Sequence, residues 1–297
     1  MMSSLVSKAG PESEWGSDSR IAAVRRWHEK SVASRHDQSV LLLDGADLRP
    51  GLRVLDLACG AGTPALAEAR RVGPRGNVVG TDTSEAMLSL AREYAQEEGL
   101  ANAEFRVADA GALPFEDGSF DRVTSGFGAM YFPDLSRALA ETFRVLRPGG
   151  RLAWLVWGPF DQPFYRATAQ IAMRHAGISE LPPEAAQPFC FSGGGILQRA
   201  VAAAGFEQVR ETSHEVFSSW PGPPEEMCEV FYGGAPPFRG ILDRLDADSR
   251  RQAMAEATEM LRKFYSEGRV RVPEIVILVT GVRPSNPPQR KSTRSAK

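Results

Sequence analysis

The stretch VLDLACGAGTPA, residues 54–65, decides the fold. Val54, Leu55 and Leu57 form a short apolar run, Gly60 and Gly62 follow, and an alanine-rich segment continues to Val72. That order reads as a strand, a tight turn and a helix. Gly60 and Gly62 lack a Cβ, so the backbone can turn sharply and approach a ligand closely. The first turn of the following helix presents N–H groups that have no partner within the helix. At the carboxyl end of a parallel strand, such a turn is where an open α/β sheet holds a nucleotide-like ligand.

Working outward, NVVGTD (77–82) reads as a second strand and SEAMLSLAREYAQEEG (84–99) as a helix. Ser84 is its cap, and Met87, Leu88, Ala91, Tyr94 and Ala95 share one face. Gly99 is its stop. EFRVAD (104–109) and DRVTS (121–125) are the third and fourth strands, and residues 135–146 are a helix closed by Arg147-Pro148-Gly149-Gly150. RLAWLVW (151–157) is apolar on both faces, as a central parallel strand is. The alternation implies an α/β doubly wound parallel sheet. Further on, residues 194–205 read as a helix, and 206–212 and 273–282 as strands. Between these strands, 225–232 and 238–265 read as helices, predicting a helical lid insert over residues 219–269. Before the first strand, 20–46 reads as one helical stretch. Residues 1–19 are expected to be disordered, and 284–297 to form a solvated basic tail.

Across 297 residues, 35 Lys and Arg balance 37 Asp and Glu, giving a net charge of −2. A general nucleic-acid binder carries a basic excess, so none is expected as a partner. No apolar run reaches the ~18 residues of a membrane span, and the N-terminus has no secretory apolar core. Cys59, Cys190 and Cys228 lie far apart, which suggests neither a disulfide framework nor a metal site. The expected setting is cytoplasmic, with a small-molecule substrate and no metal; a homodimer is compatible with the sequence.

Three strand ends carry the chemistry. Asp82 ends the second strand, where a carboxylate can accept both hydroxyls of a ribose diol or cap the following helix. Asp109 can accept from an exocyclic adenine amine while the Ala110 N–H donates to a ring nitrogen. Ser125 and Gly126 end the fourth strand, beside the glycine turn. Gly60, Gly62 and Ala65 also satisfy the dinucleotide fingerprint, so an NAD(P)-dependent oxidoreductase is an alternative from another class. Against it stand Asp56, which would crowd a pyrophosphate but suits an ammonium group, and the second acidic strand end at Asp109.

These segments resemble the class I S-adenosylmethionine-dependent methyltransferases, and the group similar to the ubiquinone/menaquinone-biosynthesis C-methyltransferases in particular. The matching stretches are VLDLACGAGTPALAEA (54–69), VVGTDTSEAMLSLAR (78–92), VADAGALPFEDGSFDRV (107–123) and ALAETFRVLRPGGRLAWLVW (138–157). The resemblance implies a Rossmann-like sheet of seven strands, mostly parallel with an antiparallel last strand, and S-adenosyl-L-methionine as cofactor. Its methionine portion would lie beside Asp56, Ala58, Gly60 and Gly62. Asp82 would take the ribose, Thr83 and Met87 would flank the adenine, and Asp109 and Ala110 would read its edge. Ser125 falls where a strand-end carbonyl contacts the cofactor's amine.

Many small-molecule relatives carry a histidine in the loop after the fourth strand, whereas GFGAMYF (126–132) has none. The candidate bases are therefore His28 and His36 of the N-terminal stretch, with Tyr131 as a proton acceptor or orienting group. Trp27, Phe127 and Met130 are the candidate substrate wall. The expected reaction methylates a small apolar or aromatic metabolite, with carbon slightly favoured and an O- or N-methyltransferase of a natural product as the alternative.

Overall fold

The computed structural model describes residues 17–234 and 236–285. Of residues 1–19, expected to be disordered, 1–16 lie outside the described residues, whereas Asp18 and Ser19 form the start of a helix; of the tail expected over 284–297, residues 286–297 lie outside the described residues. Among the described residues, eight strands form one sheet: β1 (Arg53–Leu57), β2 (Asn77–Asp82), β3 (Ala103–Val107), β4 (Phe120–Gly126), β5 (Leu146–Trp157), β6 (Glu207–Trp220), β7 (Tyr265–Ser266) and β8 (Arg269–Val282). Their order is β3-β2-β1-β4-β5-β8-β6, with β7 paired to β8 as a short hairpin. β1 to β5 pair in parallel, and β8 runs antiparallel to both β5 and β6. The seven long strands and the antiparallel closing strand agree with the sequence reading.

Among the described residues, twelve α-helices surround the sheet: α1 (Asp18–Ser34), α2 (His36–Gly45), α3 (Ala65–Val72), α4 (Glu85–Glu97), α5 (Leu135–Val145), α6 (Pro163–Arg166), α7 (Ala169–His175), α8 (Pro183–Ala186), α9 (Ile196–Ala203), α10 (Pro224–Gly234), α11 (Pro236–Leu242) and α12 (Ala247–Arg262). Val54, Leu55, Leu57, Leu152, Trp154 and Leu155 are buried at the centre. Because helices cover both faces of the sheet, residues 54–55 of β1 and 152–157 of β5 are apolar on both faces rather than alternating. Ser84 caps α4 by accepting the Met87 N–H, as its position predicts.

Some boundaries differ from the sequence reading. β3 ends at Val107, and Asp109 lies beyond it in a turn closed by an isolated bridge to Ala112. The expected continuous helix over 20–46 breaks at Arg35, whose backbone leaves the helical region between α1 and α2. The expected helix over 238–265 is two helices, because Asp246 starts a new one by accepting the Ser249 N–H at 2.7 Å. After α12, Glu267 and Gly268, both at positive φ, turn the chain into the β7–β8 hairpin, a geometry that a two-residue hairpin requires.

Helices α10 to α12 pack with α1, α7 and β8. Phe231 and Phe238 lie 5.2 Å apart between ring centroids and meet Phe164 and Tyr165 at 5.1 and 5.6 Å. These aromatics hold the helices together as a second apolar layer.

Candidate functional site

The strand order reverses between β1 and β4, so the carboxyl ends of those two strands open into one crevice. β1 leads there into a turn with Ala58, Gly60 and Gly62 at φ of 55°, 53° and 93°. Asp82, the last residue of β2, clasps this turn. One carboxylate oxygen accepts the Gly60 N–H at 2.9 Å, and the other accepts the Ser84 N–H at 2.9 Å. The half-buried carboxylate retains lone pairs for further donors. Met87 is buried against the turn, its Cε 3.6 Å from where a Cβ on Gly60 would stand, and Thr83 is exposed beside it. Asp109 is exposed at the rim and accepts the Gly111 N–H at 2.7 Å. Ala110 packs half-buried against the core.

Beneath the turn lie two acids. Asp56 in β1 and Glu68 in α3 are both fully buried, and no oxygen of either has a hydrogen-bond partner. Burial holds the Asp56 carboxyl well above the usual range; Glu68 and Asp82 push it the same way, and the nearby Ala65 N–H opposes this least. Burial also raises Glu68, against a weaker opposing influence from the Thr124 hydroxyl, which donates to the Leu55 carbonyl at 3.3 Å. Unpartnered buried carboxyls are costly, and a cationic group bound at the turn would lower that cost. Sequence reading missed Glu68, because one acid in an alanine-rich helix looks like part of a solvated face.

The loop after β4 forms the facing wall. Ser125 is buried, and its hydroxyl donates to the Leu57 carbonyl at 3.0 Å. A Cβ on Gly128 would stand 2.6 Å from the Ala58 Cβ, so this loop lies directly on the glycine turn. Phe127 adopts φ of 61° and stacks on Trp157 with ring centroids 4.0 Å apart. Met130 is buried in the core. Tyr131 is half-buried; burial raises its hydroxyl pKa, while Arg20 and Arg35 act to lower it.

The N-terminal candidates divide. His28 stacks on Tyr94 of α4 at 3.4 Å, and burial lowers its pKa. His36 is exposed at the first residue of α2. Trp27 meets Trp220 edge-on at 5.6 Å. Among the described residues, these contacts tie His28 and Trp27 to α4 and β6 rather than to the Tyr131 loop. Arg20 and Arg35 approach that loop instead. The Arg35 guanidinium carbon lies 5.4 Å above the Phe127 ring centroid and 5.2 Å from that of Trp157. Neither arginine carries a sequence signal, since both fall in stretches that read as ordinary charged helix.

A family model described as the ubiE/COQ5 methyltransferase family matches residues 36–174. Nocamycin O-methyltransferase from Saccharothrix syringae is 33% identical over 259 residues, covering 82% of this chain and 90% of that protein. The chain belongs to the ubiE/COQ5 methyltransferase family. Demethylmenaquinone methyltransferase from Lactococcus lactis is 42% identical over 125 residues, covering 42% of this chain and 50% of that one. In fold, the YcgJ protein from Bacillus subtilis matches with a TM-score of 0.53 at 22% identity, covering 84% of this chain and all of that one.

The protein is thus an S-adenosylmethionine-dependent methyltransferase, and the oxidoreductase alternative falls. The residues present fit that cofactor. The glycine turn leaves space at its backbone, the Asp82 carboxylate has capacity for a ribose diol, and the orphaned Asp56 and Glu68 carboxyls lie where a positive charge would be favoured. Cys59, inside the turn of this methyltransferase, is buried and its thiol is pushed up by burial, which makes it a filler. No helix among the described residues is long and apolar enough to cross a membrane.

Proposed function

We propose that this methyltransferase transfers a methyl group from S-adenosylmethionine to a small, flat, largely apolar metabolite bound between the glycine turn and the Phe127–Tyr131 loop. Asp82 holds the ribose, Thr83 and Met87 flank the adenine, and Asp109 and Ala110 read its edge. Asp56, with Ala58, Gly60, Gly62 and the Ser125 strand end, surrounds the methionine portion. Helices α1 and α2 cover the site, and the segment 219–269 forms the outer lid. Bound S-adenosylmethionine would supply an electrophilic methyl group, with its sulfur as leaving group, to an acceptor held by these residues.

The protein's part is to position the acceptor and exclude water. Phe127 and Trp157 offer a stacked apolar surface, and Tyr131 orients the acceptor. With its pKa raised by burial, the Tyr131 hydroxyl stays protonated and donates. The observation that carries this reading is the clasp of Asp82 on Gly60, which fixes the turn in a shape open to a nucleoside.

Oxygen is the proposed acceptor atom, since the relative that covers most of both chains is an O-methyltransferase. Carbon, on a quinol-like ring, is the second reading, favoured by the similarity to demethylmenaquinone methyltransferase. Incubation with S-adenosylmethionine and a panel of phenols, enols and aromatic acids, with products read by mass and carbon NMR, tests both. An O-methyl product supports the first reading, and a C-methyl product replaces it with the second. Failure to methylate any acceptor in the panel counts against both.

A further inference from the structure

Arg35 sits where α1 breaks into α2, and the break turns its side chain inward. It lines a cavity of about 30 Å³ with Gln38, Pro64, Gly126, Phe127 and Leu155. That cavity joins the start of α3, just past the glycine turn, to the loop after β4. The guanidinium lies against both Phe127 and Trp157, within cation–π reach. Its Nη1 atom is buried and has no hydrogen-bond partner. A buried guanidinium donor without an acceptor is rare, because the lost hydration is not replaced.

The groups facing Arg35 do not supply that acceptor. Glu274 is the carboxyl opposite, but its Oε2 already accepts from Gln38 at 3.0 Å. Burial pushes its pKa up to about 7, while Arg35, Gln38 and Ser218 act to lower it. Tyr165 is neutral, held so by burial. The second cation near Tyr131 is Arg20, which is half-buried and is also acted on by Asp82. The wall is therefore apolar and aromatic, with two arginines beside it and no histidine.

We propose that Arg35 is a specificity residue for an anionic acceptor: a flat molecule carrying a carboxylate, phenolate or enolate oxygen that the Arg35 guanidinium, itself seated on Phe127 and Trp157, takes as its hydrogen-bond acceptor. An arginine fork suits such an oxygen in geometry as well as charge. An acceptor already ionised in water has no proton to lose at the moment of transfer, which explains a wall without a base. This inference rests on the methyltransferase reading and narrows its substrate class.

The test uses the full chain saturated with S-adenosylhomocysteine, titrated calorimetrically with 1-hydroxy-2-naphthoate and with its neutral methyl ester. Wild type is expected to bind the acid about tenfold or more tightly than the ester. Arg35→Gln is expected to bring the two within about twofold of each other, and Arg35→Lys to keep part of the preference. S-adenosylhomocysteine affinity, unchanged in both variants, shows that they are folded. Equal binding of the two probes by wild type, binding of neither, or a preference that survives in Arg35→Gln overturns the proposal. If wild type fails to bind S-adenosylhomocysteine at all, the methyltransferase reading beneath it falls, and the proposal falls with it.

Discussion

The Asp82 carboxylate accepts the Gly60 N–H at 2.9 Å, across 22 residues of chain. That bond joins the end of β2 to the glycine turn after β1, and the other oxygen joins the same carboxylate to the start of α4. One side chain thereby sets the shape of the turn and remains available to a ribose. Asp82→Ala removes both contacts. At roughly 1.5–3 kcal/mol for a hydrogen bond to a charged group, S-adenosylmethionine affinity is expected to fall about 10- to 100-fold. Calorimetric titration checks this, and undiminished affinity removes Asp82 from the site.

Gly128 has no room for a side chain. A Cβ there would meet the Ala58 Cβ at 2.6 Å, the Ser125 Oγ at 2.7 Å and the Leu57 carbonyl at 3.2 Å. Gly128→Ala must push the acceptor loop off the glycine turn, at an expected cost of about 1–3 kcal/mol in stability. Turnover should fall further than stability alone explains, because both sides of the site move. Thermal melting and initial rates measured on the same preparation separate the two effects.

Asp56 and Glu68 form a buried acidic pair whose protons are held tightly. A carboxyl raised in the folded state stabilises the protein at low pH and loses that contribution as pH rises through its folded value. Asp56→Asn removes one such group. The variant is expected to melt higher than wild type at pH 8 while binding S-adenosylmethionine more weakly. A variant that is both less stable at pH 8 and unchanged in affinity contradicts the assignment.

Glu274 gives a separable pH effect. Its pKa stands at about 7 in the folded protein, against an ordinary value of 4.5. Its stabilising contribution is full below the ordinary value and is lost as pH rises through about 7. The total is roughly 3 kcal/mol. Glu274→Gln keeps an oxygen for the Gln38 amide and removes the titration, so the difference in stability between variant and wild type should grow from pH 4 to pH 8. Chemical denaturation at those two values measures it, and a constant difference excludes Glu274 as its source.

His28 and His36 are expected to be bystanders. His28 is occupied by its stack on Tyr94, and His36 is exposed. Replacing either by Ala should leave turnover intact, with a modest loss of stability for His28 alone. A large fall in turnover with unchanged cofactor affinity would restore the base role to that residue.

Much of the fold was legible because its signals are local. Gly60 and Gly62 after an apolar run, Ser84 before a helical face, and the doubly apolar β5 each imply their own geometry without reference to distant chain. The position of Asp82 at the end of β2 was legible for the same reason, while Asp109, read as a strand end, lies two residues beyond β3. What the sequence did not show depends on tertiary approach. Arg35 looks like any charged residue of a helical stretch, and only the break after Ser34 turns it inward. Glu68 reads as solvated until α3 lies on β1. Trp27 was read as a wall residue and His28 as a candidate base; their ring contacts with Trp220 of β6 and Tyr94 of α4 are not visible in the sequence. The start of α12 was legible in principle, since Asp246 is an ordinary cap, but the helical run around it concealed the break.

The measurement closest to the central claim is calorimetric titration of the full chain with S-adenosylmethionine and S-adenosylhomocysteine, alongside NAD and NADP. Micromolar binding of the two sulfur nucleotides, with none of the dinucleotides, is the expected result. Binding of NAD or NADP in their place would mean that the turn clasped by Asp82 holds a pyrophosphate, and would contradict the roles given to Asp56 and Asp109.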